Sequence, residues 1–428
     1  MQEYDVVIAG CGISGAIAGL TALERDLEVC IVERLAQDDV GRKICGDLML
    51  QKSTQWIKQR FGISVQGYPL KGLEIRSSGG NILHVPIPLC TVNRWHLGQG
   101  CVQALLDRGC SLHRGAVRRP VKKNGSVAGV KTKKEVIHGS VTIDSSGVSA
   151  IVRRKIPLLS FQPDALGLAY REILWVKDPP DMEYGILWFD KHLIPAGYFW
   201  CFPKNIHEVN VGAGGLVKGH VQLKQKLAAF VKRLGMEIHK KKDEGWGVVP
   251  LGRSLASQVT DGLLVCGDAA NHVNPLTGEG IAPALQDGYD AGVTASEAIQ
   301  NTDTSLRGLW KYNITYAQGY GKVHAPLILL RDFLISLTDE ELHFFLETLI
   351  NGRELGDILE GTLPSVTWRT VSIVLSHLKR LGLCKKAYAV LQKMRQVHDL
   401  YTQFPSEPAE FFSWKNTRDG IMGNTVKR

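Results

Sequence analysis

The chain opens on a short apolar run, Tyr4-Asp5-Val6-Val7-Ile8-Ala9, followed at once by Gly10-Cys11-Gly12-Ile13-Ser14-Gly15. A helical pattern over residues 16–24 and a second apolar strand over 28–33 come next. Strand, glycine turn, helix and strand within about 30 residues is the setting in which G-x-G-x-x-G specifies a dinucleotide-binding unit. Each glycine has a separate task. Gly10 permits the tight turn, Gly12 lets backbone N–H groups approach a pyrophosphate, and Gly15 allows the helix to pack closely. The helix N-terminus adds positive partial charge. Glu33, 18 residues beyond Gly15, ends the second strand where a carboxylate can accept hydrogen bonds from ribose hydroxyls. Like charges repel, so Glu33 also argues against a 2′-phosphate there.

A chain of 428 residues predicts two to three domains, and 44% apolar with 22% charged residues matches ordinary globular usage rather than disorder or a fibre. Nine cysteines are an odd set with no C-x-x-C pair, which suggests neither a complete disulfide framework nor a zinc ribbon and fits a reducing cytoplasm. The acidic start, Met1-Gln2-Glu3-Tyr4-Asp5, does not resemble an export signal. The longest apolar candidate, residues 6–20, is shorter than the approximately 20 residues a bilayer helix needs and contains four glycines. No membrane crossing is expected.

The net charge is +9, which by itself is compatible with nucleic acid, an anionic lipid surface or neither. Its distribution narrows the choice. Between Gly361 and His398 stand Arg369, Lys379, Arg380, Lys385, Lys386, Lys393 and Arg395 and no acidic residue, leaving about +2 for the rest of the chain. The same stretch has a helical apolar pattern with Trp368 and Tyr388 as amphipathic aromatics. Two readings stay open from the residues alone: a membrane-surface segment, or a packed helical pair with a basic wet face.

Residues 73–88 and 165–249 carry short alternating runs and predict antiparallel strands. Helical periodicity returns at 221–234 and dominates from Ala282 onward, notably over 327–337 and 340–350, whereas 404–428 has few periodic signals and is expected to be loosely ordered. There is no internal repeat.

A second informative run is Gly262-Leu263-Leu264-Val265-Cys266-Gly267-Asp268, continued by Pro275-Leu276-Thr277-Gly278-Glu279-Gly280-Ile281. With the opening glycine motif it resembles the flavoprotein superfamily that shares the p-hydroxybenzoate hydroxylase fold. That resemblance implies FAD, with Asp268 on the ribityl chain and the turn through Gly278, Gly280 and Ile281 presenting helix N-terminal amides to the flavin pyrimidine edge. Asp144-Ser145-Ser146-Gly147, leading to Arg153, resembles the superfamily's middle Asp-Gly motif, with two serines intervening. Arg94 resembles an arginine placed near the FAD phosphates.

Two further runs narrow the family. Gly41-Arg42-Lys43-Ile44-Cys45-Gly46-Asp47 resembles the cysteine-containing loop of geranylgeranyl reductases, and Pro195-Ala196-Gly197-Tyr198-Phe199-Trp200-Cys201-Phe202-Pro203 matches their P-x-x-Y-x-W-x-F-P signature. Tyr198, Trp200 and Phe202 alternate and so share one face of a strand, enough flat apolar surface to line a slot for an isoprenoid chain. The resemblance covers residues 1–330 in motif order.

The fold it implies is α/β: a discontinuous Rossmann-type FAD-binding domain (1–70, 90–155, 255–330), an antiparallel substrate domain (71–89, 156–254) and a helical C-terminal region (331–428). The implied function is an FAD-dependent reductase that saturates C=C bonds of geranylgeranyl or related isoprenoid chains on a lipid. Cys45 and Asp47 are its candidate catalytic residues, and Tyr198, Trp200 and Phe202 its substrate wall. His272 reads as a structural histidine. The alternative is an FAD-dependent monooxygenase on the same fold; its halogenase branch carries a W-x-W-x-I-P pattern absent here. An electron-transfer adaptor to quinone is a third reading, for which the cysteine cluster of an iron–sulfur centre is lacking. No metal and no nucleic acid are expected, and oligomeric state is left open. Electrons would come from NAD(P)H or reduced ferredoxin, since Val211-Gly212-Ala213-Gly214-Gly215 reads as a β-turn rather than a second dinucleotide motif. A lipid substrate also favours peripheral contact with a membrane on the cytoplasmic side.

Overall fold

The computed structural model describes residues 3–80, 82–159, 165–177, 182–216, 222–360, 362–363 and 380–423. Strand Glu3–Ala9 lies between Val29–Glu33 and Val136–Asp144, parallel to both. Ser111–Arg114 extends this sheet beyond Val29–Glu33, and Leu263–Val265 pairs in parallel with the end of Val136–Asp144. Val29–Glu33, Leu263–Val265 and most of Glu3–Ala9 are buried on both faces and accordingly read as near-continuous apolar runs. Because they run the same way, their carboxyl ends bring Gly10, Glu33, Ser145 and Cys266 to one edge, where ligands bind in open α/β sheets.

Helix Ile13–Leu23 packs against helix Ile281–Gln300 at very short range. A Cβ on Gly288 would stand 2.3 Å from the Ser14 carbonyl oxygen, and one on Gly292 would stand 2.7 Å from that of Ala18. Small residues on the second helix thus hold the N-terminal motif against the segment that follows Gly-Asp. Those two motifs are more than 250 residues apart in the chain.

The second sheet has seven strands in the order Ile238–Pro250, Leu166–Val176, Glu208–Leu216, Gly197–Asn205, Tyr184–Phe189, Gly72–Ser77, Ile82–Val85. It is antiparallel as expected except where Tyr184–Phe189 meets Gly72–Ser77 in parallel. Phe199 and Cys201 face helix Leu223–Arg233, with the Phe199 ring stacked on Phe230 at 4.8 Å. Tyr198, Trp200 and Phe202 point to the opposite side.

Val211 to Gly215 is not a turn. It lies inside strand Glu208–Leu216, and its glycines make room for bulk on the neighbouring strand: a Cβ on Gly212 would be 2.0 Å from Cζ2 of Trp200. Period-2 reading missed this because glycine contributes no apolar side chain to the pattern.

Residues 404–423 are better ordered than their weak periodicity predicts. Helix Phe411–Met422 buries Trp414, whose indole N–H donates to the Leu400 carbonyl at 2.9 Å, and Trp310 donates likewise to Pro405. Phe404, Phe411, Trp310 and Trp414 form one aromatic cluster. Large rings spaced irregularly supply the burial that periodicity would otherwise signal. Of the basic stretch, residues 364–379 lie outside the described residues. Its remainder falls largely in helix Leu381–Thr402, which buries Leu383, Cys384, Met394, Val397 and Tyr401 and exposes Lys385, Lys386, Lys393 and Tyr388. Among the described residues, no helix is long and apolar enough to cross a membrane.

Candidate active site

One continuous cavity of about 850 Å³ reaches from the Gly10–Ser14 turn to the C-terminal helices. Gly10, Gly12, Glu33, Cys45, Asp47, Arg94, Tyr198, Trp200, Phe202, Asp268, Gly278, Gly280 and Ile281 all line it. Gly15 stands behind its wall, where a Cβ would fall 2.1 Å from the Gly10 carbonyl oxygen and 2.4 Å from Oγ of Ser145.

At one end the local geometry suits a dinucleotide. Gly12 is the N-cap of helix Ile13–Leu23 and no side chain caps the helix, so its first amides are available to an anion. A Cβ on Gly12 would meet nothing within 4 Å, which leaves space over those amides. Both oxygens of Glu33 are oriented by backbone, accepting from Cys11 N at 2.7 Å and Leu35 N at 2.8 Å. Ser145 Oγ donates to the carbonyls of Ala9 and Gly10, and Asp144 accepts from Ser146 and from Arg153 N, so the middle motif braces the glycine turn despite its two inserted serines. Arg94, at the start of helix Arg94–Asp107, carries a buried Nε without a hydrogen-bond partner. A buried cationic donor left unpaired in a cavity wall is suited to a phosphate oxygen. Together the cradle, the oriented carboxylate and the unpaired guanidinium fit FAD.

The Gly-Asp turn lies across the cleft from the cysteine loop, and Asp268 Oδ2 accepts from Lys43 Nζ at 2.6 Å. Gly278 takes φ +72°, a left-handed conformation that favours glycine, and Gly280 is the N-cap of helix Ile281–Gln300. Glu279 Oε1 accepts from Ala282 N at 2.8 Å. Tyr198 donates its hydroxyl proton to the Thr277 carbonyl, joining the aromatic wall to this loop. His272 is fully buried, with Nδ1 2.7 Å from Asp287 and its ring stacked on Tyr316, a structural position.

Burial pushes the Glu279 carboxyl up from 4.5 to about 7, against the opposing pull of the Ala282 and Ile281 amides and of Arg94. The raised value means that the native state holds the proton more tightly than the unfolded chain. The associated stability is therefore complete below pH 4.5 and is lost as pH rises through about 7. Glu279→Gln, neutral throughout, is expected to lose less stability than the native protein over that interval. Thermal unfolding of both proteins at a series of pH values checks this; melting curves that shift in parallel would contradict it.

The Cys45 thiol is also pushed up, chiefly by burial and next by the Asp47 carboxylate, although Arg94 and Lys43 pull it down. It is a protonated thiol at neutral pH. Asp47 is buried with φ +63°, and its Oδ2 accepts from Lys204 Nζ at 2.6 Å and Asn210 Nδ2 at 3.1 Å. The carboxylate of this candidate catalytic residue is thus engaged in an ion pair.

Sequence reading missed Lys43, Lys204, Asn210 and Glu279. Lys204 was accessible to it, because residues 198, 200, 202 and 204 continue one period-2 face. Asn210 was not, because its place opposite Phe202 depends on sheet register. The far cavity wall was also missed. Leu330, Leu334, Leu342, Phe345, Leu346 and Leu355 from the C-terminal helices face Leu73, Ile75 and Leu187 of the seven-stranded sheet and Ile87 just after its edge strand, closing an apolar slot beyond the aromatic face.

A family model described as geranylgeranyl reductase catalytic domain matches residues 166–244. A digeranylgeranylglycerophospholipid reductase of Sulfolobus acidocaldarius is 28% identical to this chain, covering 98% of it and 97% of the relative. One from Methanothrix thermoacetophila is 27% identical over 81% of this chain and 92% of its own length. Among solved structures, a geranylgeranyl bacteriochlorophyll reductase-like protein of Thermoplasma acidophilum superposes with TM-score 0.75 at 21% identity, covering 91% of this chain and all of the other. A flavin-dependent brominase superposes with TM-score 0.67 at 17% identity, covering 89% and 99%. At these identities the structural likenesses speak for the fold alone.

Proposed function

From the premise that this chain belongs to the geranylgeranyl reductase family of FAD-dependent flavoproteins, we propose that it saturates C=C bonds in the geranylgeranyl chains of a lipid. The observation that carries this reading is the continuity of the cavity. A dinucleotide cradle opens without interruption into a slot walled by Tyr198, Trp200 and Phe202 and closed by leucines.

An isolated alkene is unactivated, and reduced FAD, when bound, supplies the hydride that its reduction requires. The chain's own residues do the remainder. The amides at the Ile13–Leu23 helix N-terminus and the Arg94 guanidinium hold the pyrophosphate, Glu33 holds the ribose and Asp268 the ribityl chain. The amides following Gly280 stabilise negative charge on the pyrimidine edge. The aromatic wall and the leucines of the C-terminal helices exclude water and orient the chain, and the ring faces stabilise positive charge developing on carbon. Cys45 holds a proton on Sγ at neutral pH, so it can protonate one carbon of the alkene, and the neighbouring carbon, which then carries the positive charge, is the one that would take the hydride.

The parallel sheet is the FAD-binding unit in this reading and the seven-stranded sheet the substrate unit, within the limits expected from sequence. Electrons arrive from NAD(P)H or reduced ferredoxin. The exposed Lys385, Lys386, Lys393 and Tyr388 touch an anionic membrane surface from which the lipid enters.

The test is direct. Dithionite-reduced, FAD-loaded protein is incubated with a geranylgeranyl glycerolipid, and mass spectrometry is expected to show a gain of two hydrogens per double bond. Unchanged lipid would sink the reading.

A further inference from the structure

We infer that Asn210 and Lys204 are positioning residues that hold the Cys45 loop against the aromatic wall, and that Asp47 acts with them rather than as a proton donor. The inference rests on the reading of Cys45 given above.

Asn210 is completely buried at the centre of the seven-stranded sheet, and one amide serves both sides of the site. Its Oδ1 accepts from the Trp200 indole N–H at 2.9 Å, while its Nδ2 donates to the Cys45 carbonyl at 2.9 Å and to Asp47 Oδ2 at 3.1 Å. The orientation of the amide is therefore fixed by its partners, since the indole can only donate and the carbonyl can only accept. Lys204 closes the other side. Its Nζ donates to Asp47 Oδ2 at 2.6 Å and to the Val92 carbonyl at 2.9 Å, and Val92 N donates in turn to the Asp47 carbonyl at 2.8 Å.

The loop needs such a clamp. Asp47 is held at φ +63°, a backbone conformation that costs a non-glycine residue free energy and persists only where its surroundings impose it. Its N–H points to Cys45 Sγ at 3.3 Å, so the same backbone geometry that the ion pair enforces also sets where the thiol lies. Gly46 sits between them beneath Phe202, where a Cβ would approach Cε2 to 3.1 Å. Loop and wall are in contact, and the amide of Asn210 fixes their mutual register. A hydrophobic core would have packed this region more cheaply. Burying an amide and an ion pair instead is justified by geometric definition at a reacting position.

The experiment uses the FAD-loaded protein and two variants, Asn210→Leu and Lys204→Met. Iodoacetamide is added, and peptide mass spectrometry follows alkylation at each cysteine. Cys45 is half-buried and every other cysteine is buried, so the sites are resolved by position. Release of the clamp is expected to raise the alkylation rate of Cys45 by roughly tenfold, with Cys101 and Cys266 still protected. Where lipid reduction is measurable, kcat is expected to fall by roughly tenfold with KM little changed, because the chain still binds while the thiol is misplaced. Cys45 labelling at the native rate in a folded, FAD-loaded variant would overturn the inference, as would general labelling of all cysteines. Should Asn210→Leu fail to take up FAD, Lys204→Met decides alone, since its side chain reaches the loop from the rim. A native protein that leaves the lipid unreduced would defeat the functional reading while the labelling result still judged the clamp.

Discussion

Gly15→Val is expected to yield a protein that does not turn yellow. The new Cβ would stand 2.1 Å from the Gly10 carbonyl oxygen and 2.4 Å from Ser145 Oγ, distances no real contact shows. Backbone cannot yield there as a flexible side chain would. Glu3–Ala9 is locked in register on both sides, and the helix is pressed against Ile281–Gln300 through Gly288 and Gly292. The glycine turn must then open, and the amides at the helix N-terminus no longer converge on a pyrophosphate. FAD affinity is expected to fall by roughly a hundredfold or more, about 2.8 kcal/mol at 1.4 per decade. Flavin absorbance after gel filtration, titrated with FAD, measures it, with circular dichroism as the check on folding. A folded variant that binds FAD at native affinity would remove the cradle from the site.

Gly212→Val is expected to do the converse, keeping the flavin and losing the chemistry. Its Cβ would occupy the place of Trp200 Cζ2, 2.0 Å away, so the indole must swing into the slot and release Asn210. The dinucleotide cradle lies on the other sheet and is untouched. A fall in kcat/KM of roughly a hundredfold is expected with FAD content unchanged, the loss being one of alkene placement rather than cofactor binding. Adding Trp200→Leu to the same chain relieves the clash, so the double variant should be more active than Gly212→Val alone. Such coupling is what two side chains competing for one volume produce. If the double variant is no better, the steric account fails.

Much of this was legible in the chain before any coordinates. The glycine spacing at residues 10, 12 and 15 is legible because a tight turn, a close backbone approach and a helix crossing each exclude Cβ, and only one residue type meets all three demands. Tyr198, Trp200 and Phe202 are legible because strand alternation is strictly two, so a face can be read from spacing. Glu33 is legible because the end of the second strand is set by where its apolar run stops.

What stayed hidden has one cause. Gly212 looked like part of a turn because its reason for being glycine, the Trp200 ring, sits on another strand. Asn210 looked like any polar residue, and becomes the joint between wall and loop only when register sets it opposite Phe202. Asp47 reads as a candidate catalytic residue, and only the fold brings Lys204, 157 residues away, against it. The leucines that close the slot showed helical periodicity, yet nothing local said that their apolar face would meet the sheet across a cavity.

The sequence by itself therefore carried the glycine turn and the aromatic face, since both are written in short-range spacing that backbone sterics enforce, and it carried the flavoprotein reading through its resemblance to a known superfamily. The tertiary structure alone decided which polar groups are engaged, what closes the slot and how the cysteine loop is held. Those depend on partners brought together by packing, and packing is a property of the whole chain.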